Sequence, residues 1–165
     1  MITLNLIREN VEKLLHEHEQ LLKISQQKTE LIKNSEMEAL VKVLLEEKKV
    51  MQIIMQLEDE REKLVELLFR TLHIDESKEK TVTNLLPYIK DDAQKEQLVQ
   101  FITPLIETIT ALKANEDLNS QLLEQSMQFI QLSLSMMDPT TQKVSYGEKN
   151  QGAQRVDRSV FDSKA

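Results

Sequence analysis

Apolar residues recur at intervals of three and four along most of the chain, the spacing at which side chains share one face of an α-helix. The first such stripe contains six apolar and three polar positions: Leu4, Ile7, Val11, Leu14, His18, Leu21, Ser25, Lys28 and Ile32. This pattern predicts a helix over 2–33 that buries one face. His18 is expected on that face, and His16, two residues earlier, is expected on the surface.

A second stripe follows over 36–72, with the heptad-like spacing of a helix that packs against a partner along its whole length. Eight of its eleven positions are apolar: Met37, Leu40, Leu44, Glu47, Met51, Ile54, Glu58, Arg61, Val65, Leu68 and Leu72. Ser35 and Glu38 have the spacing of a capping box, which would begin this helix. Because Asn34 and Ser35 alone separate the two segments, the sequence predicts an antiparallel helical hairpin.

The pattern is weaker between the second and the last long segment. Asp75-Glu76-Ser77 is a candidate start for a short helix near 78–90, and Pro87 disfavours its continuation. A packed helix and an open linker are both consistent with residues 73–90.

The last long segment predicts a third long helix over 92–137, with Asp91 and Gln94 at capping-box spacing. Pro104 lies inside it and predicts a kink or a short break, because proline lacks the N–H that an interior helix position donates. Apolar positions at helical spacing are Leu98, Ile102, Leu105, Ile109, Leu112, Leu122, Leu123, Phe129, Ile130 and Leu134, and the polar interruptions are Asn115, Glu116 and Asn119.

Residues 138–165 differ in composition from the rest of the chain. They contain both glycines, mixed charge and few large apolar residues. Such a segment cannot bury enough surface to offset an ordering cost of about 1–2 kcal/mol per residue. The sequence therefore predicts an all-α fold, in which a long antiparallel hairpin and a third long, proline-interrupted helix form an elongated helical bundle over 1–137. A flexible, disordered C-terminal tail is expected over 138–165.

Composition and charge argue against several classes of protein. Among 165 residues there are two glycines and no cysteine, which disfavours tight-turn β folds, glycine-rich phosphate loops and thiol chemistry. The net charge is −7 without a basic stripe, so neither nucleic acid nor direct membrane binding is expected. The sequence also lacks a signal-peptide pattern and an apolar run of about 18 residues. We expect a cytoplasmic protein.

Motifs for catalysis or metal binding are not evident. None of the three histidines has an acidic residue three positions before it, the spacing found in carboxylate-bridged metal sites of helical bundles. The acidic run Glu58–Glu62 is interpreted as an exposed face with an ion pair between Glu58 and Arg61, in preference to a paired-carboxylate site. Gly147 and Gly152 are not followed by the Lys and Ser/Thr of a phosphate loop. We therefore expect no enzyme activity, no cofactor and no metal.

The segment from Leu118 to Met137 carries a single charged residue, Glu124, and its apolar residues spread over more than one helix face. Solvent-facing helices usually carry many charges, and methionine-rich surfaces adapt to varied partners. The candidate binding residues are Leu118, Leu122, Leu123, Met127, Phe129, Ile130, Leu134 and Met137. Partner binding is the favoured interpretation, while burial in a core and a homodimer interface remain open.

Several features, taken in order, resemble the FlgN-type flagellar export chaperones. They are the hairpin with Leu-Glu-Asp-Glu-Arg-Glu-Lys-Leu at 57–64, the later helix with Asn115–Leu123, the pair Tyr146-Gly147, and the terminal Phe161–Ala165. The resemblance covers nearly the whole chain. It implies a cytoplasmic chaperone that holds the hook-associated proteins unassembled and delivers them to the flagellar export gate.

The same resemblance implies sites and partners. Client binding would lie from about Leu118 onward, where an amphipathic client helix would be captured and the tail would fold over it. Tyr146 would be a candidate contact to the export gate. The clients would be hook-associated flagellar proteins. If 118–137 is a client-binding surface, the protein is expected to be a monomer or a weak homodimer. The alternative is a structural coiled-coil homo-oligomer, in which 118–137 is the self-association interface.

Overall fold

The computed structural model describes residues 2–137, which are mostly helical. Helix α1 spans Ile2–Lys33, α2 spans Met37–Thr71, α3 spans Val82–Leu85 and α4 spans Asp92–Met137, and a 3₁₀ turn, Leu86–Tyr88, follows α3. The all-α fold class is confirmed, with no strand among residues 2–137. The chain divides into two units, with the boundary between Leu122 and Leu123. The predicted tail, 138–165, lies outside the described residues.

The first two helices form the predicted antiparallel hairpin. Asn10, near the start of α1, donates a hydrogen bond of 3.0 Å to the carbonyl oxygen of Leu57 in α2. Lys28, near the end of α1, pairs with Glu47. Because the earlier residue of α1 meets the later residue of α2, the two helices run in opposite directions.

The stripe predicted for α1 is the face that the structure buries. Eight of its nine positions are buried, and Leu21 is half-buried. His18 lies on this face with Nδ1 2.7 Å from the carbonyl oxygen of Leu14, so its ring has a partner within its own helix. His16 is exposed, as expected.

In α2 the buried face differs from the prediction. Met37, Leu44 and Met51 are 46%, 45% and 47% exposed, whereas Val43, outside the predicted stripe, is buried. A stripe with a period of 3.5 residues drifts by about 20° per heptad around a helix of 3.6 residues per turn. One side of the predicted stripe therefore lies away from α1 over the first half of α2, while Leu40 and Glu47 still face α1. The prediction of burial along the whole length of the stripe is wrong.

The connection between α1 and α2 is a Schellman motif. The N–H groups of Glu36 and Ser35 donate to the carbonyl oxygens of Leu31 and Ile32 at 3.0 and 3.2 Å, and Ser35 has a φ of 55°, as this motif requires. The predicted capping box between Ser35 and Glu38 is wrong. Ser35 closes α1 instead, and Glu36 precedes α2 without a side-chain cap.

The end of α2 is closed by the same motif. The N–H groups of His73 and Ile74 donate to the carbonyl oxygens of Arg70 and Phe69 at 3.2 and 3.1 Å, and His73 has a φ of 51°. Phe69 and Ile74 belong to one apolar core, which matches the apolar contact that often accompanies this motif.

The apolar core lies at the end of the hairpin away from its turn. Its residues come from the start of α1, the end of α2, residues 74–89 and the first part of α4: Leu4, Ile7, Val11, Val65, Leu68, Phe69, Ile74, Val82, Leu85, Ile89, Leu98 and Ile102. The segment between α2 and α4 is therefore packed, and the interpretation as an open linker is excluded.

The short helix in this segment begins later than the predicted start at 75–77. Thr81 is its N-cap, with Oγ1 accepting the N–H of Asn84 at 3.1 Å. Asp75 instead accepts the N–H of Ser77 at 3.0 Å through Oδ1, a local turn that can form without a following helix. Pro87 lies in the 3₁₀ turn after α3, where its missing N–H is tolerated.

The start of α4 is capped by Asp91, whose Oδ1 accepts the N–H groups of Ala93 and Gln94 at 2.9 and 3.3 Å. Pro104 lies inside the helix, which continues through it to Met137. The interruption at this position is thus one missing N–H donor within a continuous helix.

Candidate binding surface

The described part of the second unit, 123–137, is the last stretch of α4. Its large apolar side chains are exposed: Leu123 38%, Met127 61%, Phe129 70%, Ile130 54%, Leu132 59%, Leu134 62%, Met136 75% and Met137 82%. We name these eight residues the α4 apolar surface. Glu124 is the single charged residue of this stretch. Isolated apolar residues on a surface are ordinary, but a concentration of this kind makes the stretch a candidate interaction site.

The α4 apolar surface consists of two stripes. The first, at the a/d spacing of a heptad, is Leu123, Met127, Ile130, Leu134 and Met137. The second lies on roughly the opposite side of the helix at about 100° of rotation per residue and contains Phe129, Leu132 and Met136. Serine side chains and most of the glutamine side chains lie between the stripes, and Gln125 lies within the second stripe. The helix therefore offers apolar contacts on two sides, which is more than one packing partner needs.

The structure places the sequence-predicted candidates in both units. Six of the eight belong to the α4 apolar surface: Leu123, Met127, Phe129, Ile130, Leu134 and Met137. Leu118 and Leu122 lie in the first unit, where Leu118 is 41% exposed and Leu122 is half-buried with an interaction of its own. Leu132 and Met136 were not among the candidates, although their positions three and seven residues after Phe129 identify them. Tyr146 lies outside the described residues.

Polar residues of α1, α2 and α4 meet within the first unit. We name this group the polar layer, and its members are Ser25, Lys28, Thr29, Glu47, Asn115, Glu116 and Asn119. Nζ of Lys28 lies 2.5 Å from Oε2 of Glu47 and 2.9 Å from Oε1 of Glu116. The Lys28 side chain is 8% exposed, so its two carboxylate partners contact an ammonium group that is almost removed from water.

Two opposing effects set the pKa of Lys28. Burial disfavours the ammonium form and lowers the pKa, whereas the hydrogen bonds and charges of Glu47 and Glu116 raise it. The carboxylates prevail, and the pKa of Lys28 lies above its ordinary value. Lys28 therefore stays positively charged at neutral pH.

Asparagine side chains complete the polar layer. Asn119, which is 2% exposed, donates to the carbonyl oxygen of Ser25 at 3.0 Å and accepts the hydroxyl of Thr29 at 2.5 Å. Asn115 donates to the hydroxyl oxygen of Ser25 at 2.7 Å. The polar interruptions predicted in α4 thus face the polar positions of the α1 stripe. This pairing was not predicted, although polar residues interrupt the apolar stripes of both helices.

The acidic run of α2 contains the predicted ion pair, with Nη2 of Arg61 2.7 Å from Oε2 of Glu58. This contact supports the interpretation of Glu58 and Arg61 as a structural ion pair.

Within residues 2–137, no group of three or more His, Cys, Asp and Glu side chains is placed to hold a metal ion. None of the helices in this range combines the length and apolar character needed to cross a membrane.

The chain is similar to known proteins over most of its length. The profile of the FlgN protein family matches residues 1–154. An uncharacterized protein of Bacillus subtilis (strain 168), YvyG, is 30% identical over 161 residues, which cover 96% of this chain and 97% of that relative. No solved structure matches the chain significantly. Because the family match spans most of the sequence, the chain belongs to the FlgN family of flagellar export chaperones.

Proposed function

We propose that this chaperone binds hook-associated flagellar proteins in the cytoplasm and delivers them to the flagellar export gate. Membership of the FlgN family supports the general role in flagellar export. The observation that carries the specific proposal is the α4 apolar surface, which exposes eight apolar side chains beside one charge. A protein that waits to assemble must keep its own apolar assembly surface covered, and a helix of this kind is suited to cover it.

Client capture takes the form of helix-to-helix packing along the first stripe. From Leu123 to Met137 this stripe is about 21 Å long at 1.5 Å per residue, or about four turns of a client helix. An amphipathic client helix with apolar residues at heptad spacing would bury them against it. A charged client side chain at this position would lose its hydration without gaining a partner, so the surface favours an uncharged client face.

The second stripe offers a contact on the other side of α4. Phe129, 70% exposed, is its aromatic member, and aromatic side chains often dominate the energetics of an interface. A client that presents two helices can occupy both stripes. Leu118 and Leu122 stay predicted client contacts, and Tyr146 stays the predicted contact to the export gate.

Size-exclusion chromatography with light scattering tests client binding, with the full chain alone and mixed with a hook-associated protein from the same cell. We expect a discrete complex. Ile130→Asp should weaken it by at least about tenfold, because it places a carboxylate in the first stripe. Gln131→Asp adds the same charge between the stripes and should leave the complex intact. An unaltered complex with Ile130→Asp would remove the first stripe from the proposal.

Delivery is tested separately from capture. Tyr146→Ala should leave the client complex unchanged and reduce binding of the chaperone to the isolated export-gate component, measured by pull-down. Equal gate binding by the parent chain and the variant would remove Tyr146 from the proposal, while client capture would stand on its own measurement.

The heptad spacing of the first stripe also favours a second candidate function, that of a structural coiled-coil homo-oligomer. In that case the chain alone would form an oligomer that persists on dilution, is lost with Ile130→Asp and binds no hook-associated protein. A monomer or weak dimer that binds the client would exclude this alternative.

A further inference from the structure

Helix α4 contacts the hairpin of α1 and α2 in two chemically different ways within the first unit. Near its start, Leu98 and Ile102 enter the apolar core with exposures of 0% and 9%. Beyond Ile102, Asn119 is the one residue of α4 that is buried, as far as the structure describes this helix. Between the two contacts, Ile106 and Ile109 are 55% and 40% exposed, and Thr108 and Leu112 are only half-buried. An apolar anchor and a polar contact therefore hold different parts of one helix.

The two contacts differ in how easily they separate. Removing Leu98 and Ile102 from the core exposes apolar surface to water, which is unfavourable. Opening the polar layer exchanges hydrogen bonds between side chains for hydrogen bonds to water, so each bond contributes little net free energy. Glu116 regains its hydration on opening, and Lys28 keeps Glu47 as a partner on the hairpin. Opening therefore leaves no buried charge alone.

We propose that the polar layer is a releasable clasp, at which residues 106–122 of α4 open from the hairpin and close again while 92–105 stay anchored in the apolar core. Local opening of this kind occurs where few apolar contacts are buried. The clasp lies wholly within the first unit, and it does not depend on the proposed client.

The clasp also fixes the register in which α4 closes. The α1–α4 pairs that share this register are Ser25 with Asn119, Lys28 with Glu116, and Thr29 with Asn115. A shift of α4 by one turn would place Leu112 or Ser120 opposite Lys28 and leave the ammonium group with one carboxylate. Buried polar residues specify register in helical assemblies for this reason.

Hydrogen–deuterium exchange of the full chain, read by mass spectrometry, tests the clasp. We expect amides in 106–122 to exchange about tenfold faster than those in 93–102, because this stretch of helix, once separated from the hairpin, can break its own backbone hydrogen bonds without unfolding of the core. Glu116→Lys sets a second ammonium group against Lys28, and it should speed exchange in 106–122 by about a further tenfold without changing 93–102. Glu107→Lys makes the same charge change at an exposed position of α4 and should alter neither segment.

Equal exchange of the two segments in the parent chain, or an equal increase in both with Glu116→Lys, would overturn the clasp. A second variant covers the case in which Glu116→Lys does not fold. Asn119→Leu combined with Ser25→Ala replaces the polar contact by an apolar one, and it should slow exchange in 106–122 towards that of 93–102. Unchanged exchange in this double variant would contradict the proposal as well.

Discussion

Ser35 and His73 are the non-glycine residues with positive φ in the described chain, at 55° and 51°. Each occupies the position of a Schellman motif that usually holds glycine, because the left-handed conformation brings Cβ close to a carbonyl oxygen. Both glycines of the sequence occur later, at Gly147 and Gly152. The two helix ends therefore carry a local backbone cost that a single substitution can relieve.

Ser35→Gly should raise the free energy of unfolding by about 0.5–1 kcal/mol, because relief of the left-handed strain exceeds the extra entropy of glycine in the unfolded chain. Urea unfolding followed by circular dichroism measures the change. Asn34→Gly is the matched control, since Asn34 lacks a positive φ, and it should lower stability. If Ser35→Gly is no more stable than the parent, the turn carries no such strain.

Lys28→Met should lower the free energy of unfolding by about 2 kcal/mol near neutral pH, because it leaves the carboxylates of Glu47 and Glu116 without their shared counter-charge. Urea unfolding measures this loss. Adding Glu47→Gln and Glu116→Gln to Lys28→Met removes the unpaired charges and should recover much of the stability. An equal loss of stability in the single and triple variants would show that Lys28 stabilises the protein through the packing of its side chain and not through its ion pairs.

The raised pKa of Lys28 makes this effect depend on pH. Burial lowers that pKa, but Glu47 and Glu116 raise it by more, so the net pKa lies above the ordinary 10.5. The stability that Lys28 contributes is therefore complete below its unfolded pKa and is lost as pH rises through its folded pKa. The stability difference between the parent chain and Lys28→Met should be constant from neutral pH up to about pH 10 and shrink above it. A difference that grows in alkali would contradict this linkage.

At the scale of helices, the sequence predicted the features that neighbouring residues determine, such as helix extents and the cap of α4. The apolar stripe and the short connection defined α1, and Asp91 marked the start of α4. The buried face of α2 could not be read in the same way, because it depends on how a 3.5-residue pattern drifts around the helix. The hydrogen bond between Asn119 and Ser25 joins residues 94 positions apart, a pairing that no local pattern encodes.

The candidate surface on α4 was predictable for a different reason. A single charge, Glu124, among many apolar residues of 118–137 is a compositional signal that needs no knowledge of packing. Composition identified the stretch, but it did not separate half-buried Leu122 from exposed Leu123. That distinction depends on the contacts of each side chain in the folded unit.

Pro104→Ala should raise the free energy of unfolding by about 1–3 kcal/mol, because alanine restores an N–H donor in the interior of a continuous helix. Thermal unfolding measures the gain. Thr110→Ala is a control on the same helix: it removes an exposed hydroxyl that bonds back to the carbonyl oxygen of Ile106, and should change stability by less than about 0.5 kcal/mol. The absence of a gain with Pro104→Ala would show that α4 has already adapted to the missing bond.

On the scale of the whole molecule, much apolar surface is exposed outside the α4 apolar surface as well. In α2 the exposed large apolar residues are Met37, Val41, Leu44, Leu45, Met51, Ile53, Met55 and Leu67. Soluble monomers rarely expose contiguous apolar patches of more than a few hundred Å². The free chaperone is therefore expected to associate weakly with itself.

Sedimentation velocity over a range of concentrations should show weak, reversible self-association of the full chain. Met55→Glu, at a position that is 70% exposed, should reduce it, because the new charge divides an apolar face. Gln56→Glu adds the same charge beside an already polar position and should have a smaller effect. An oligomer that persists at every concentration would favour the structural coiled coil, and a strict monomer would show that this exposure is insufficient for association.

The α1–α4 pairs of the polar layer join residues that are 86 to 94 positions apart in the chain, whereas a short turn brings α1 and α2 together. Closing a long loop costs more chain entropy than closing a short one, so the contacts of the hairpin form earlier in folding. During synthesis the hairpin can pair before Asn119 has been added to the chain. In a nascent chain that stops before residue 115, the hairpin would then be paired and Lys28 would contact Glu47. The second carboxylate, that of Glu116, would not yet be part of the chain.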